Sequence, residues 1–337
     1  MQHTHIVAAT LLLSLASRGA RAQAPSPTLL VLGKSDLALF IVDPATQAVL
    51  AQVPSGPDPH EVVTSSDGRV AYISNYGGGT DNRITVVDLV ARRALPVINL
   101  GALRGPHGLT FVAGKLWFTA EGAKAIASYD PATRTIDWML GTGQDRTHML
   151  VVSGDAKRIL TTNVNSATVT IAELTAGQQR GPGGPPRAEW RETVIAVGNG
   201  AEGLDVTPDG TEAWVANAQD GTISVIDLRT KRVVQTIAAE VPGANRLKIT
   251  PDGKHALVST LRGGNLTVLD VATRAVVKRL PIGHGAAGIE ITPDGARAYV
   301  ACTADDYVAI VELGTLTVTG HIAAGKQPDG LAWAVRR

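Results

Sequence analysis

The chain has 337 residues, of which 44% are hydrophobic, 4% are aromatic and 36 are glycine. This composition is that of a folded globular protein and excludes an intrinsically disordered chain. The formal net charge of +1 gives no reason to expect nucleic acid or an anionic membrane surface as a partner.

The first 22 residues predict a signal peptide. Residues 6–16 read IVAATLLLSLA, an apolar run of signal-peptide length that is too short to span a bilayer. Ala20-Arg21-Ala22 follows with the small-x-small pattern of a cleavage site, although no lysine or arginine precedes the apolar run. No later segment is long and apolar enough for a transmembrane helix. The sequence therefore predicts an exported protein, periplasmic or extracellular, without an integral membrane segment.

An exported protein can form disulfides, but this chain contains a single cysteine, Cys302. No internal disulfide can therefore form. An intermolecular bond or a reactive thiol would be alternatives for a lone cysteine. Because free cysteines are often buried as small apolar residues, we expect Cys302 to be buried near the end of a strand.

A short motif that begins with an acidic residue recurs along the rest of the chain. Its seven copies start at Asp43, Asp88, Asp130, Glu173, Asp227, Asp270 and Glu312. Successive copies are separated by 45, 42, 43, 54, 43 and 42 residues. Each aspartate precedes a turn whose backbone amides its carboxylate can bind. A repeat of about 43 residues is the length of one β-propeller blade.

The fifth unit shows the strands of a blade most clearly. The runs GLDVT, EAWVAN, TISVIDL and VVQTIA are rich in β-forming residues. Turn sequences containing Pro-Asp-Gly, Asp-Gly and Arg-Thr-Lys separate them. Since no segment carries a long helical period, each unit predicts a blade of four antiparallel strands.

The long interval of 54 residues and the two chain ends complete the prediction. The extra residues of blade four fall at 176–190, a Gly- and Pro-rich stretch that predicts a surface loop between its third and fourth strands. The C-terminal QPDGLAWAV, residues 327–335, has the sequence of an innermost strand, whereas the mature N-terminus supplies three outer strands. Joining the ends in one blade closes the ring and removes open sheet edges. We therefore predict one all-β domain over residues 23–337, a seven-bladed β-propeller.

Two family resemblances accompany these repeats. Residues 207–237, TPDGTEAWVANAQDGTISVIDLRTKRVVQTI, resemble the YVTN-type propeller repeat, and residues 250–280 and 292–322 look like further copies. Blade three, GPHGLTFVAGKLWFTAEGAKAIASYDPAT, resembles the blades of virginiamycin B lyase-type propellers. Both resemblances imply seven blades around a central channel.

Alignment of the innermost strands brings one set of residues onto a single ring. From blade two to the shared blade, that position holds His60, His107, His148, Glu202, Asn245, Ala287 and Asp329. The next position adds Glu61 and Arg246. In propellers this position lies at a mouth of the channel, near the turns between second and third strands. Those turns contribute Asn75, Tyr76, Glu121, Asn163, Asn165 and Asn217.

Three kinds of role are open for this mouth. The polar residues could bridge blades or hold channel water, or they could bind a small molecule or anion. Alternatively, His60, His107 and His148 could hold one divalent metal ion such as Zn²⁺, with a position open for water or substrate. In a catalytic site His107 or His148 would be the general base, with Glu202 as its partner and Arg246 holding an anion. The resemblance of blade three implies histidine and glutamate around a divalent ion on this face.

The function predicted first is therefore binding of a small ligand, an ion or a protein partner by an exported, monomeric propeller. The ligand-binding residues would be His60, Glu61, His107, His148, Glu202, Asn245, Arg246 and Asp329. The alternative is a metal-assisted lyase, lactonase or isomerase that uses the same residues. A purely structural envelope protein is the third hypothesis, because the propeller fold alone does not decide function.

Overall fold

The computed structural model describes residues 27–177 and 188–336. Over these residues the chain forms seven four-stranded antiparallel sheets, which confirms the predicted seven-bladed propeller. The predicted signal peptide and residues 178–187 of the predicted loop lie outside the described residues. In the described ranges, no helix has the length and apolarity needed to cross a bilayer.

The strands follow one another from the channel outwards in each blade. Blade one combines β28 (Pro328–Ala334) with β1 (Thr28–Gly33), β2 (Ala38–Val42) and β3 (Val49–Pro54). Blade two holds β4 (Pro59–Thr64), β5 (Val70–Asn75), β6 (Arg83–Asp88) and β7 (Arg93–Asn99). Blade three holds β8 (Pro106–Val112), β9 (Lys115–Ala120), β10 (Ala125–Asp130) and β11 (Thr135–Gly141). Blade four holds β12 (Thr147–Val152), β13 (Arg158–Asn163), β14 (Thr168–Thr175) and β15 (Glu189–Ala196).

The last three blades have the most even strand lengths. Blade five holds β16 (Ala201–Val206), β17 (Glu212–Asn217), β18 (Thr222–Asp227) and β19 (Arg232–Ile237). Blade six holds β20 (Ala244–Ile249), β21 (His255–Thr260), β22 (Asn265–Asp270) and β23 (Ala275–Pro281). Blade seven holds β24 (Ala286–Ile291), β25 (Arg297–Cys302), β26 (Tyr307–Glu312) and β27 (Thr317–Ile322). Two 3₁₀ turns, Gly77–Gly79 and Glu121–Ala123, follow the second strands of blades two and three.

The two ends of the propeller meet in blade one, as predicted. β28 pairs antiparallel with β1, and Leu30 lies opposite Ala332. This pairing closes the ring without an open sheet edge at the junction. The core lies between neighbouring blades, where the second and third strands are buried on both faces. Trp214 and Tyr299 are among its largest fully buried side chains.

The structure confirms two local predictions, the role of the repeated aspartates in their turns and the burial of Cys302. The carboxylates of the repeated aspartates accept backbone hydrogen bonds from the following turn, at 2.9 Å from Ala45 N to Asp43 Oδ1 and 2.7 Å from Thr273 N to Asp270 Oδ1. Cys302 is fully buried at the end of β25, and burial raises the pKa of its thiol to about 12. This environment makes it an unreactive core residue.

The predicted loop of blade four is shorter at its C-terminal end than the sequence indicates. Glu189 pairs with Thr175, and Trp190 pairs with Leu174. Both residues therefore belong to β15. The ring of Trp190 packs on that of Trp138, with 4.8 Å between centroids, which gives β15 an apolar anchor inside a polar stretch of sequence.

A β-bulge interrupts every innermost strand at the predicted mouth position. In blade three, Pro106 pairs with Ala120 and Leu109 with Phe118, so His107 and Gly108 together face one residue, Thr119. A bulge of this kind bends the strand and redirects its side chains. The mouth residue and the residue after it are therefore placed differently from the rest of the strand.

Hydroxyl groups on the second strands support these bulges. Thr119 Oγ1 accepts a hydrogen bond from Gly108 N at 2.9 Å and donates one to the carbonyl oxygen of His148 in the next blade at 2.5 Å. Ser259 makes the same two bonds, from Arg246 N at 3.1 Å and to Ala287 O at 2.6 Å. Thr162 repeats the pattern in blade four. Each hydroxyl thus joins the mouth positions of two neighbouring blades, and we call this contact the hydroxyl bridge.

Below the mouth, the channel contains a second layer of charged side chains. A cavity of about 400 Å³ is lined by the innermost strands and includes Asp205, Lys248 and Glu290. Burial raises the pKa of Glu290 to about 7, against the opposing effect of Lys248 and with support from Asp205 and Glu61. Burial likewise raises the pKa of Asp205, despite Lys248 and two backbone hydrogen bonds. These acids therefore hold their protons to higher pH than exposed carboxyls do.

The hydroxyl bridge predicts the effect of Thr119→Val. The substitution keeps the shape of the side chain but leaves the buried Gly108 N and His148 O without this partner, so we expect a loss of about 1–3 kcal/mol in the free energy of unfolding. Urea unfolding measures it. Thr135→Val, at an exposed strand position, is the control and should change stability by less than about 0.5 kcal/mol. Equal effects of the two substitutions would contradict the role given to the bridge.

The pKa of Glu290 predicts a pH-dependent effect of Glu290→Gln. Because this pKa is about 7 in the folded protein and near 4.5 in the unfolded chain, the folded state binds more protons between these values. Wild-type stability therefore falls as pH rises through this window. Glu290→Gln should match the wild type near pH 4.5 and exceed it by about 1–3 kcal/mol above pH 7.

Urea unfolding at pH 5 and pH 8.5 tests this difference. The control is Glu240→Gln, since the side chain of Glu240 is 85% exposed. A stability difference between Glu290→Gln and the wild type that stays constant over this pH range would show that burial does not control the ionisation of Glu290.

Candidate functional site

The mouth of the channel is entered through a strained turn in each blade. Two residues before every mouth position, the backbone is in the left-handed region. Glycine takes this position in four blades, whereas Asp58, Arg146 and Gln327 take it with φ of 44°, 57° and 50°. Such φ values are uncommon outside glycine and concentrate at functional sites. Two of the three, Asp58 and Arg146, contact the mouth residues described below.

The mouth itself is a small cavity of about 180 Å³. Its lining comes from all seven blades: Lys34, His60, His107, Arg146, His148, Glu202, Asn245, Arg246, Leu261, Ala287, Thr303 and Asp329. All seven residues of the predicted ring are among them. The volume is below the 300–1,000 Å³ of typical drug-sized pockets, so the cavity suits an ion or a molecule of few heavy atoms.

The three predicted histidines lie side by side. The ring centroids of His60 and His107 are 4.8 Å apart, and those of His107 and His148 are 3.9 Å apart. Tyr76 packs edge-on against both His60 and His107. His107 and His148 are almost fully buried, with 3% and 2% of their surface exposed. The repeat alignment therefore placed the histidines correctly in space.

His148 lies between two glutamates. Its Nδ1 makes a short contact with Glu121 Oε1, and its Nε2 lies 2.5 Å from Glu202 Oε2. The second contact is an ion pair, so the imidazole of His148 bridges the two carboxylates. Tyr76 donates a hydrogen bond of 2.7 Å to the other oxygen of Glu121. Glu121 is therefore held in place from two sides, and Glu202 contacts His148 through one oxygen and lies 3.6 Å from Arg146 through the other.

The electrostatics of the two buried histidines differ. Burial, with the neighbouring His148 and His60, lowers the pKa of His107 well below its ordinary value. Burial also disfavours charge on His148, but Glu202 and Glu121 outweigh it and raise the pKa of His148. The charge of His148 in turn overcomes the burial of Glu202 and lowers the pKa of that carboxyl to about 2. At neutral pH His107 is thus a neutral imidazole beside an ionised Glu202.

His60 has a different surrounding from the other two histidines. Its Nε2 lies 2.8 Å from Lys34 Nζ and 3.1 Å from Asp58 Oδ1, while its Nδ1 lies 3.5 Å from Asp329 Oδ2. Lys34 Nζ also lies 3.3 Å from Asp329. The hydrogen bond from His60 holds the pKa of Asp58 well below its usual range. The ring nitrogens of His60 are therefore already engaged.

The floor of the cavity is an ion pair that crosses the channel. Arg246 in blade six contacts Glu61 in blade two through a short hydrogen bond, and its NH1 donates to Asn245 Oδ1 at 3.1 Å. The guanidinium is 5% exposed, yet its Nε has no hydrogen-bond partner. Arg146 reaches from the rim towards Glu121 and Glu202, at 3.7 and 3.6 Å.

Glycines determine which side chains can form this floor. The residue after the mouth position is glycine in blades one, three, five and seven, and Glu61, Met149 or Arg246 in the others. A Cβ on Gly108 would lie 2.6 Å from His148 O, and one on Gly203 would lie 2.5 Å from Leu247 N. The close approach of neighbouring strands therefore excludes side chains from these positions. Glu61 and Arg246 are the charged members of this layer.

Two buried polar atoms at the mouth, His107 Nδ1 and Arg246 Nε, have no hydrogen-bond partner within the described residues. Two more, His148 Nε2 and Glu202 Oε2, contact only each other. Buried polar groups are normally satisfied, so a cluster of unsatisfied ones indicates a ligand or water site. Separately, ligand atoms of His107, Glu121 and His148 lie within 4.8 Å of one another. Zn–ligand bonds of about 2.0–2.2 Å in tetrahedral geometry place ligand atoms roughly 3.3–3.6 Å apart, so side-chain shifts of about 1 Å would let these atoms share one ion.

Some turn residues identified from the sequence do not reach the mouth. Asn75, Asn163 and Asn217 are fully buried within their own blades, and Asn75 Nδ2 donates to Ser55 O and Pro57 O. Asn165 is exposed and lies near Asp145. The side chains that face the mouth stand one residue after the second strand, as Tyr76 and Glu121 do.

Sequence reasoning missed Lys34, Asp58 and Arg146. Lys34 occupies the same position as Tyr76 and Glu121, but in the shared blade, where no Pro-Asp-Gly turn guides the alignment. Asp58 and Arg146 stand where most blades have glycine. The replacement of the glycine that most repeats carry at this position was the sequence signal that could have identified both residues.

Comparisons with known proteins agree with this architecture. Residues 183–297 match the family model described as YNCE-like beta-propeller. The match spans blades five and six and reaches β25, where the predicted repeats are most regular, and it confirms the predicted relation to repeat propellers. Among curated proteins, none matches the sequence significantly.

Several solved structures share the fold at low sequence identity. A functionally unknown protein from Desulfotomaculum acetoxidans is 13% identical, with a TM-score of 0.74, covering 93% of this chain and 100% of its own. A candidate 6-phosphogluconolactonase from Bacteroides fragilis is 17% identical, with a TM-score of 0.71 and coverage of 91% and 97%. Kuenenia stuttgartiensis hydrazine synthase is 18% identical, with a TM-score of 0.69 and coverage of 89% and 99%.

These likenesses concern the fold alone, because propellers of one architecture carry many functions. The resemblance of blade three to virginiamycin B lyase-type propellers stays a prediction. The protein is a seven-bladed β-propeller that carries a YNCE-like propeller segment over residues 183–297.

Proposed function

We propose that the protein binds one divalent metal ion at the channel mouth, as an exported ligand-binding propeller. The ligands are His107 Nδ1, His148 Nε2 and Glu202 Oε2. One observation carries the proposal: the three residues line one buried cavity, where His107 Nδ1 has no hydrogen-bond partner and His148 Nε2 and Glu202 Oε2 contact only each other, at 2.5 Å. Two imidazoles and a carboxylate are a usual donor set for Zn²⁺. The predicted signal peptide supports a site of action outside the cytoplasm.

The surroundings of His148 support this donor set. In metal sites, a coordinating histidine commonly donates its other ring N–H to a carboxylate, which orients the ring. Glu121 is placed for this role at Nδ1, and Tyr76 holds Glu121 through a hydrogen bond. Neutral His107 already has the protonation state that a metal ligand requires.

The charge balance of the mouth supports a cation as well. Five carboxylates surround it, those of Asp58, Glu61, Glu121, Glu202 and Asp329. Three basic side chains oppose them, those of Lys34, Arg146 and Arg246. His148 favours its charged form between the two glutamates, so these five negative groups face three basic side chains and the His148 imidazolium, an excess of one negative charge. A divalent ion that replaces the proton of His148 would bring this sum to zero.

Zinc titration tests the proposal. The mature protein should bind about one Zn²⁺ per chain by isothermal titration calorimetry, with elemental analysis after dialysis. His107→Ala, His148→Ala and Glu202→Ala each remove a ligand, so each should weaken binding by more than the 10–100-fold typical of an orienting partner. Glu121→Gln keeps an acceptor for His148 and should stay within that range.

Two further substitutions make the test specific. His60→Ala should bind Zn²⁺ within about tenfold of the wild type, because its nitrogens contact Lys34, Asp58 and Asp329 instead. Loss of binding in His60→Ala would favour the three-histidine set of the original prediction. His284→Ala, at a side chain 75% exposed, is the control. Absence of Zn²⁺ binding in the wild type would overturn the proposal.

Metal-assisted catalysis is the second candidate function. Three protein ligands leave coordination positions open towards the cavity, which is typical of catalytic rather than structural zinc sites. A divalent ion there would act as a Lewis acid on a carbonyl or phosphoryl oxygen. Arg146 at the rim could orient an anionic substrate beside the ion. The lyase, lactonase and isomerase alternatives all fit this arrangement.

Lactone hydrolysis is the first reaction to test, since some propellers of this fold are described as candidate 6-phosphogluconolactonases. We expect the Zn²⁺-loaded protein to hydrolyse small lactones in a pH-stat assay and the Glu202→Ala variant to lose this activity. Activity that survives in Glu202→Ala, or that is equal in chelator-treated protein, would exclude hydrolysis at this site.

A further inference from the structure

We infer that the mouth is a combined site in which a small oxyanion binds beside the metal ion and accepts hydrogen bonds from Arg246 and Asn245. This inference rests on the proposed metal binding and names the chemical class of the second ligand. It starts from Arg246, a residue that is 5% exposed and whose Nε has no hydrogen-bond partner.

The two terminal nitrogens of Arg246 each already have an acceptor within the protein. NH2 binds Glu61 across the channel, and NH1 donates to Asn245 Oδ1 at 3.1 Å. The remaining Nε–H belongs to a residue that lines the mouth cavity. An unsatisfied donor on a buried cation calls for an acceptor, and a negatively charged oxygen is the strongest one available.

Asn245 supplies a second donor at the same place. Because its Oδ1 accepts from Arg246, its side-chain amide group is oriented with the NH₂ as the remaining polar group. Asn245 occupies the ring position of blade six and lines the same cavity as His107, His148 and Glu202. Two N–H groups on adjacent residues match the two oxygens of one carboxylate, or two oxygens of a tetrahedral oxyanion.

Charge makes this oxyanion site dependent on the metal. Without an added cation, the five carboxylates of the mouth outnumber the three basic groups and the His148 imidazolium, and an oxyanion would be repelled. A divalent ion on His107, His148 and Glu202 removes this excess. It also offers the oxyanion a direct electrostatic partner. By thermodynamic linkage, the oxyanion must then strengthen metal binding by the same factor.

The cavity limits the size of the oxyanion. Its volume of about 180 Å³ must hold the ion and the second ligand together. Leu261, Ala287 and Thr303 form the less polar side of the wall. A short-chain carboxylate, or a small tetrahedral oxyanion, fits these limits, whereas a drug-sized molecule does not.

Calorimetric titration of acetate and of sulfate into the mature protein, with and without bound Zn²⁺ and at constant ionic strength, tests the inference. We expect saturable binding of at least one anion to the Zn²⁺-loaded protein and at least tenfold weaker binding to the metal-free protein. Preference for acetate would identify a carboxylate ligand. Preference for sulfate would identify a tetrahedral oxyanion.

Two variants test the role of the donors. Arg246→Lys keeps a positive charge for Glu61 but removes the planar group that carries Nε–H, and Asn245→Ala removes the second donor. Each should weaken anion binding to the Zn²⁺-loaded protein by at least about tenfold, because hydrogen bonds to charged groups are lost. Arg297→Lys, at an exposed ion pair with Glu312, is the control. Thermal unfolding confirms that each variant is folded.

The outcomes separate this inference from the proposed function. If Zn²⁺ binds one per chain but neither anion binds, or if Arg246→Lys and Asn245→Ala bind anions as tightly as the wild type, only the oxyanion site is overturned. If Zn²⁺ itself does not bind, the proposed function fails in the first titration and the metal-dependent oxyanion site fails with it.

Discussion

The hydroxyl bridge is the contact on which the geometry of the mouth depends. Thr119 and Ser259 each accept a hydrogen bond from a bulged backbone N–H and donate one to a carbonyl oxygen of the next blade. Core packing between blades is apolar and adaptable, but a hydrogen bond specifies a distance and a direction. The bridges therefore fix the mouth segment of one blade relative to that of the next blade. The closeness of His107 and His148 follows from this link, because Thr119 binds the backbone of both segments.

The same closeness controls the chemistry of the mouth. Inner strands that approach at Gly108 and Gly203 leave no room for side chains there, so the long side chains of Glu61 and Arg246 meet across the channel. Above them, His107 and His148 are buried too near one another to be charged together. The two glutamates beside His148 decide which of the two rings carries charge. Backbone packing thus sets the protonation of the site.

The periodicity of the sequence was sufficient to place the ring of mouth residues, since equal repeats put equal positions on equal blades. His60, His107 and His148 are adjacent for that reason. Contacts between non-equivalent positions could not be predicted in this way. Lys34 lies in the blade assembled from both chain ends, and Glu121 reaches His148 from the neighbouring blade. Asn75, Asn163 and Asn217 were expected near the mouth but are buried inside their blades. The residue that faces the mouth comes one position later, because side chains on adjacent positions of a strand face opposite sides.

His148 can be satisfied in two ways, and the rest of the mouth distinguishes them. A proton on the ring lets His148 pair with both Glu121 and Glu202, but it leaves His107 Nδ1 and Arg246 Nε without partners. In the proposed arrangement, a metal ion would bind His107, His148 and Glu202 together, and an oxyanion beside it would accept from Arg246. Since a buried polar group without a partner destabilises a fold by about 1–3 kcal/mol, His107 Nδ1 and Arg246 Nε are the two atoms that favour a bound ligand over a proton alone.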